Sequence, residues 1–279
     1  MLKLRKYFQI FSNPKFLRIL QPLVVSIVCV LVITAIAKAG SLTPPGTPAA
    51  TRASSPIPKM QTFTGSGTWT RPSNVDMVWV TMIAGGGGGG GDDNVYGGGG
   101  GGAGQAVFKY PYAVSGNVTV TVGAGGFGRT TSTVGGNGGA SSFGTLSVAG
   151  GYGGKQSRGN GGASGGGNEG GLNNSIFEFD DFCIGLVCIG AGGGGSGSSA
   201  CERGGDSGYS GGASGTDSSG CGGGGAGSMF GAGGTGGEPA AAGTAAAANT
   251  GAGGGGGGNG GGTSSGAGGS GKVIVEWFE

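Results

Sequence analysis

Residues 78–91 read VWVTMIAGGGGGGG, an apolar, β-branched segment that runs without a turn into an unbroken stretch of glycine. The first half has the composition of a strand. The second half carries no side chains, so it adds nothing to a hydrophobic core, and glycine loses more backbone entropy on ordering than any other residue. A chain built on this junction must either leave its glycines disordered or stack their backbones on one another.

Strand-like segments recur on both sides of the glycine runs, which argues that the chain folds. Residues 61–70 and 76–83 read as two strands joined by the turn Arg71-Pro72-Ser73-Asn74, followed by strands at 105–110, 117–122 and 142–149. Within 117–122 the alternation is clean: Val118, Val120 and Val122 point to a core and Thr119 and Thr121 to water. Residues 272–278 form another apolar strand, expected to close the sheet beside the early strands. The fold class expected is all-β, a small, sandwich-like antiparallel scaffold from which the glycine runs are long excursions, with no α-helix after the N-terminal segment.

All 79 glycines of the 279 residues lie at or after Gly40. Collagen needs glycine at every third position and abundant proline, whereas the runs at 85–91 and 253–258 ignore the triplet and only Pro72, Pro111 and Pro239 lie beyond residue 60. Glycine also forms extended threefold helices whose N–H and C=O groups are free to bond to neighbouring helices, the polyglycine II arrangement. Side chains are then tolerated only on outward faces, at intervals of three. Ala226, Met229, Ala232, Thr235 and Glu238 form one such series, and Asn137, Ala140 and Phe143 a shorter one.

Residues 1–39 combine a cationic start, an apolar run over 23–37 and the triplet Ala37-Lys38-Ala39, the pattern of a secretory signal peptide. An uncleaved anchor over residues 19–38 is the alternative, and the shortness of the run favours cleavage. Either way the remainder is expected to be extracytoplasmic, secreted or at the cell surface. Residues 40–60 are rich in Pro, Ser and Thr and read as a linker, and 61–279 as the glycine-rich domain. Lys3, Arg5, Lys6, Lys15, Arg18 and Lys38 hold 6 of the 15 cations, so the rest of the chain has 9 cations against 13 acids. A mildly acidic body without a basic stripe argues against a nucleic-acid partner. Membrane contact is expected only through the N-terminal segment, if that segment is uncleaved.

Beyond that segment the cysteines form an even set, Cys183, Cys188, Cys201 and Cys221, as two disulfides in an oxidising compartment require, with three pairings open. A zinc site is disfavoured, because there is no Cys-x-x-Cys knuckle and no histidine.

Four segments in order carry a family resemblance: Phe63-Thr64-Gly65-Ser66-Gly67-Thr68-Trp69-Thr70-Arg71-Pro72, residues 78–91, Val118-Thr119-Val120-Thr121-Val122-Gly123-Ala124-Gly125-Gly126, and Gly271-Lys272-Val273-Ile274-Val275-Glu276. Over residues 61–279 the chain resembles the glycine-rich domain of phage tail-fibre adhesins and assorted bacterial surface proteins. The resemblance implies a β-scaffold carrying stacked polyglycine II helices whose connecting loops form a recognition tip. The export signal and linker depart from the phage pattern, so a surface location carries over and a receptor does not.

The most unusual loop is residues 172–189, which sets Ile176, Phe177, Phe179 and Phe182 beside Asp180 and Asp181 among the glycines. It reads as a partner-binding patch rimmed by acids, or as a satellite core pinned by Cys183 and Cys188. Scarcity of aromatics in the glycine region favours the core. Asp180-Asp181 and Asp92-Asp93 lack the alternating spacing of a calcium loop and read as solvated turn acids, so no metal is expected. Gly-x-Gly-x-x-Gly matches carry no weight in so glycine-rich a chain, and neither Gly154-Lys155 nor Gly271-Lys272 is followed by the Ser or Thr of a phosphate loop, so no nucleotide or other cofactor is expected. Without histidine there is no ordinary serine or cysteine triad, and the chain is expected not to be an enzyme.

These features point to an extracytoplasmic structural or recognition module, adhering to a surface receptor or polysaccharide through loops between polyglycine helices. The alternative is a self-associating matrix or filament subunit. Ice binding, used by a glycine-rich antifreeze family with flat polyglycine II faces, finds no regular threonine ladder here.

Overall fold

In this computed structural model the β-branched and aromatic segments form strands, and the structure describes residues 56–130, 132–156, 160–165, 182–194, 196, 201, 204, 210–215 and 220–279. In order these are β1 (Pro58–Phe63), β2 (Gly67–Trp69), β3 (Met77–Ile83), β4 (Ala106–Ala113), β5 (Val118–Thr121), β6 (Ser141–Phe143), β7 (Leu146–Val148), β8 (Phe182–Ile184), β9 (Val187–Ile189) and β10 (Lys272–Phe278). They make two antiparallel sheets, one ordered β1-β10-β3-β4-β9-β8 and the other β2-β5-β6-β7. Among the described residues there is no α-helix, as expected of an all-β chain.

β10 lies between β1 and β3, pairing Val275 with Gln61 on one side and with Val80 on the other, so the last strand does close the sheet beside the first ones. Expected as one strand, residues 61–70 instead split around Gly65 into β1 and β2, which belong to different sheets. β1 also starts at Pro58, inside the stretch read as linker, because Pro58, Lys59 and Met60 pair with Phe278, Trp277 and Glu276. Residues 142–149 are a hairpin rather than one strand: β6 and β7 turn at Gly144, whose φ of 58° lies in the left-handed region that suits glycine.

The core forms where alternation aims side chains between the sheets. Val78, Val80 and Met82 of β3 and Val273 and Val275 of β10 meet Trp69, Val118, Val120 and Phe143 from the other sheet. Trp69 is fully buried, edge-on to Phe143 at 6.0 Å and to Trp277 at 5.6 Å between ring centroids. These rings are the largest side chains of the core, which valines otherwise fill.

The glycine runs leave this scaffold as rods bonded to one another. The N–H groups of Gly85, Gly88 and Gly91 donate to the carbonyls of Gly139, Gly136 and Thr133, those of Gly86 and Gly89 to Gly269 and Gly266, and those of Gly87 and Gly90 to Gly102 and Gly99. The carbonyls are shared out likewise. Gly85 and Gly88 accept from Gly151 and Gly154, Gly86 from Gly126, and Gly87 and Gly90 from Gly254 and Gly257. Successive residues thus address different neighbours with a repeat of three, and the rod is bonded on six sides. Residues 97–104 and 251–258 are also bonded on six sides. This is the bonding expected when extended threefold glycine helices pack side by side.

None of the glycines at 85–91 has a left-handed φ. What they supply is space: a Cβ added to Gly85 or Gly88 would collide with the carbonyl of Ala124 or Phe127, one on Gly86 or Gly89 with that of Ala252 or Gly255, and one on Gly87 or Gly90 with that of Tyr152 or Lys155.

A Gly88→Ala substitution is therefore expected to lower stability by more than about 3 kcal/mol. Gly116→Ala, at an exposed position where a Cβ meets nothing within 4 Å, should be neutral or stabilise by about 0.5 kcal/mol. Denaturant midpoints of the two variants measure the contrast.

Candidate functional site

Where rods reach the periphery, every third residue points outward and most of these are not glycine. Ala124, Phe127 and Thr130 form one exposed row, Val134, Asn137 and Ala140 a second, Ala149, Tyr152 and Lys155 a third, and Ala232, Thr235 and Glu238 a fourth. Both expected series are thus corrected: the first loses Ala226 and Met229, the latter packing on Ile83, Ala106 and Cys188, and the second loses Phe143. Ala226 is fully buried, because its rod is interior, where it meets Ala103 and Ala191. Phe143 belongs to the sandwich core, and Val134 takes its place in the outward row.

The rod that follows β3 ends in the turn at residues 92–96, and the next rod returns to β4. At this far end Asp92 is only 1% exposed. One of its oxygens, Oδ2, accepts from the backbone N–H groups of Asn94, Gly261 and Gly262, each at 3.3 Å. Its other oxygen, Oδ1, is buried without a hydrogen-bond partner. Asp92 is thus not the solvated turn acid expected from sequence: it clasps two turns that lie 169 residues apart. Asn259 adds a second stitch, its Nδ2 donating to the carbonyl of Val95 at 3.2 Å and its N–H to that of Gly220 at 2.7 Å. Beside them Val95 stands exposed, so the tip is a set of cross-bonded turns with an apolar point.

A third surface is the outer face of the six-stranded sheet. One half is covered by Met229 and Phe230, which pack on Ile83, Ala106 and Cys188. There the Lys272 ammonium lies 4.0 Å from the centroid of the Phe230 ring, and burial pushes its pKa below the usual lysine value. The other half is open, and Pro58, Lys59, Trp79, Lys109, Glu276, Trp277 and Phe278 line a shallow cavity of about 260 Å³. Sequence reasoning passed over this site because its residues come from four strands. The available signal was Trp79 itself, an aromatic on the outward phase of a strand whose Val78 and Val80 point inward.

Of the residues singled out in the 172–189 loop, Ile176, Phe177, Phe179, Asp180 and Asp181 lie outside the described residues. Phe182 begins β8, which pairs with β9 around a turn at Gly185 and extends the sheet beyond β4. Cys201 and Cys221 form a disulfide with their Cα atoms 6.0 Å apart. Cys188 is also disulfide-bonded, and its register partner across the β8–β9 hairpin is Cys183. Held in disulfides, Cys188, Cys201 and Cys221 are not zinc thiolates. Among the described residues no group of three or more acids and cysteines could hold a metal.

Residues 61–278 match the model of a known family, described as a glycine-rich domain. The chain belongs to the glycine-rich domain family. No curated protein matches it. Among the described residues no helix is long and apolar enough to cross a membrane, and the anchor expected at residues 19–38 lies outside them.

The Cys201–Cys221 bond ties an interior rod of this glycine-rich domain to a segment 20 residues away. Replacing both cysteines by serine should cost about 3 kcal/mol, the chain-entropy value for a loop of this length. A lowered urea midpoint in the double variant is the expected result, and reductant should lower the parent's midpoint at least as far, because Cys188 is disulfide-bonded too.

Proposed function

We propose that this glycine-rich domain is a non-catalytic recognition module that works outside the cytoplasm, gripping a surface receptor or polysaccharide with the side chains and turns that cap its rods. The observation that carries this reading is how the bundle ends. An interior rod accepts neighbours because it presents bare backbone, whereas the outer rows present Phe127, Thr130, Val134, Asn137, Tyr152, Lys155, Thr235 and Glu238. A second copy adding a rod there would meet side chains at the spacing where even one methyl collides.

That termination weighs against the filament alternative, which needs an open face on which the lattice can grow. Disulfides favour an oxidising compartment. The clasped tip supports turns as contact points, because a turn held at both ends loses little further entropy on binding.

In sedimentation velocity the full chain is expected to remain one discrete species as concentration rises, and filaments or open-ended aggregates would overturn the proposal. The edge rod at residues 241–247 provides the converse test, since Ala242 and Ala245 are exposed there. Replacing both, and the likewise exposed Thr244 and Ala247, by glycine strips the outer face, and the variant should self-associate at concentrations where the parent does not.

A further inference from the structure

We propose that the open half of the six-stranded sheet is a binding site for a neutral saccharide, with Trp79 as its stacking platform. This deepens the recognition reading and rests on it.

Three separate features meet there. The first is aromatic: Trp79 is only half-buried on the outward face and stands edge-on to Phe278 at 5.5 Å between ring centroids, with Phe278 itself 49% exposed. Such a pair left open to water is a cost unless something covers it. The second is a bulge. The β3–β4 register shifts between Val80 and Met82, so that Phe108 and Lys109 together oppose Thr81. Lys109 takes a φ of 46°, which a side-chain-bearing residue rarely adopts, and is held by its N–H donating to Thr81 Oγ1 at 3.0 Å. Bulges of this kind re-aim a side chain. Here the Lys109 ammonium reaches Glu276 Oε1 at 3.4 Å, at the edge of the cavity. The third is charge balance. Lys109 is paired with Glu276, and Lys59 with Glu279 at 3.7 Å, so each cation beside the cavity is matched by a carboxylate.

Together these features select the ligand. A paired rim offers hydrogen-bond donors and acceptors without net charge, which disfavours nucleic acid, whose binding requires unpaired cations for its phosphates. The negative face of an indole attracts the C–H groups on the flat side of a pyranose, while the lysines and carboxylates reach its hydroxyls. At about 260 Å³ the cavity is smaller than sites that engulf a drug-sized ligand, which suits one sugar ring of a chain held at the surface.

The test is isothermal titration calorimetry of the full chain, purified in a non-glycosidic detergent and titrated with glucose, galactose, mannose and N-acetylglucosamine, with glucuronate and glucosamine as charged comparators. At least one neutral sugar should give a saturable heat that the charged comparators reproduce several-fold more weakly. Trp79→Ala should weaken binding by more than about tenfold, Trp79→Phe by less, and Glu276→Gln measurably. The last two variants carry the test if Trp79→Ala lowers the melting temperature. Absence of saturation with every neutral sugar, or parent-like affinity in Trp79→Phe and Glu276→Gln alike, overturns the proposal. A concentration-dependent dimer that these substitutions abolish overturns it too, by making a second copy the occupant. If the chain sediments as a discrete species and no sugar binds, the saccharide site falls and the recognition reading stands. Growth into filaments removes both.

Discussion

The distance between neighbouring backbones governs this domain. Rods bonded on six sides leave a Cβ few directions in which to point, so an interior rod keeps little more than an occasional alanine, such as Ala103 or Ala252. Glycine is usually explained by its freedom to take left-handed φ values, but residues 85–91 do not use that freedom. Ordering each residue costs about 1–2 kcal/mol of backbone entropy, while a backbone hydrogen bond returns about 0.5–1.5 kcal/mol net. The two nearly cancel, so the rods have little stability of their own.

The sandwich resolves that near-balance. The rods at 84–91 and 97–104 continue the β3–β4 pairing, and those at 123–130 and 133–140 connect β5 to β6. Each pair is thus started in register by strands with a packed core of Trp69, Phe143 and the valines of β3, β5 and β10. At the far end Asp92 and Asn259 join turns from distant parts of the chain, and the Cys201–Cys221 bond restricts the unfolded state. Side chains are few, and they are placed where they fix the ends of rods.

Most of the scaffold was legible because strands announce themselves by alternation: Val118, Val120, the phase of Val78 and Val80, and the apolar run of β10 all pack as their pattern predicts. The breaks were not legible. Gly65 ends β1 and Gly144 turns a hairpin, yet in a chain with 79 glycines nothing marks these two from the rest. The same saturation hides which rods are interior, so Ala226 was indistinguishable from Ala232 although one is buried and the other exposed. Asp92 and the Trp79 cavity were hidden for another reason, since each is assembled from segments far apart in sequence, and local pattern carries no signal for that.

Such packing also decides where function can reside. Substitution is barred at most glycines of the interior rods, because a Cβ there meets a carbonyl of another rod. Three kinds of position remain free: outward residues at every third place on the peripheral rods, the turns at the rod ends, and the uncovered half of the six-stranded sheet. The rows and turns are single-residue features on a lattice whose spacing is fixed, so they vary in chemistry but barely in shape. Concavity is available on the sheet, where a bulge at Lys109 and an outward Trp79 depart from the regular pleat. A strained residue persists only where surrounding structure holds it, and here the Thr81 hydroxyl and the pairing of β3 with β4 do so. In a chain that spends its side chains so sparingly, an aromatic pair, two ion pairs and a strained lysine on one small face are hard to account for as scaffold alone, because exposed ion pairs contribute only about 0–1 kcal/mol and the sandwich is already closed on its other side.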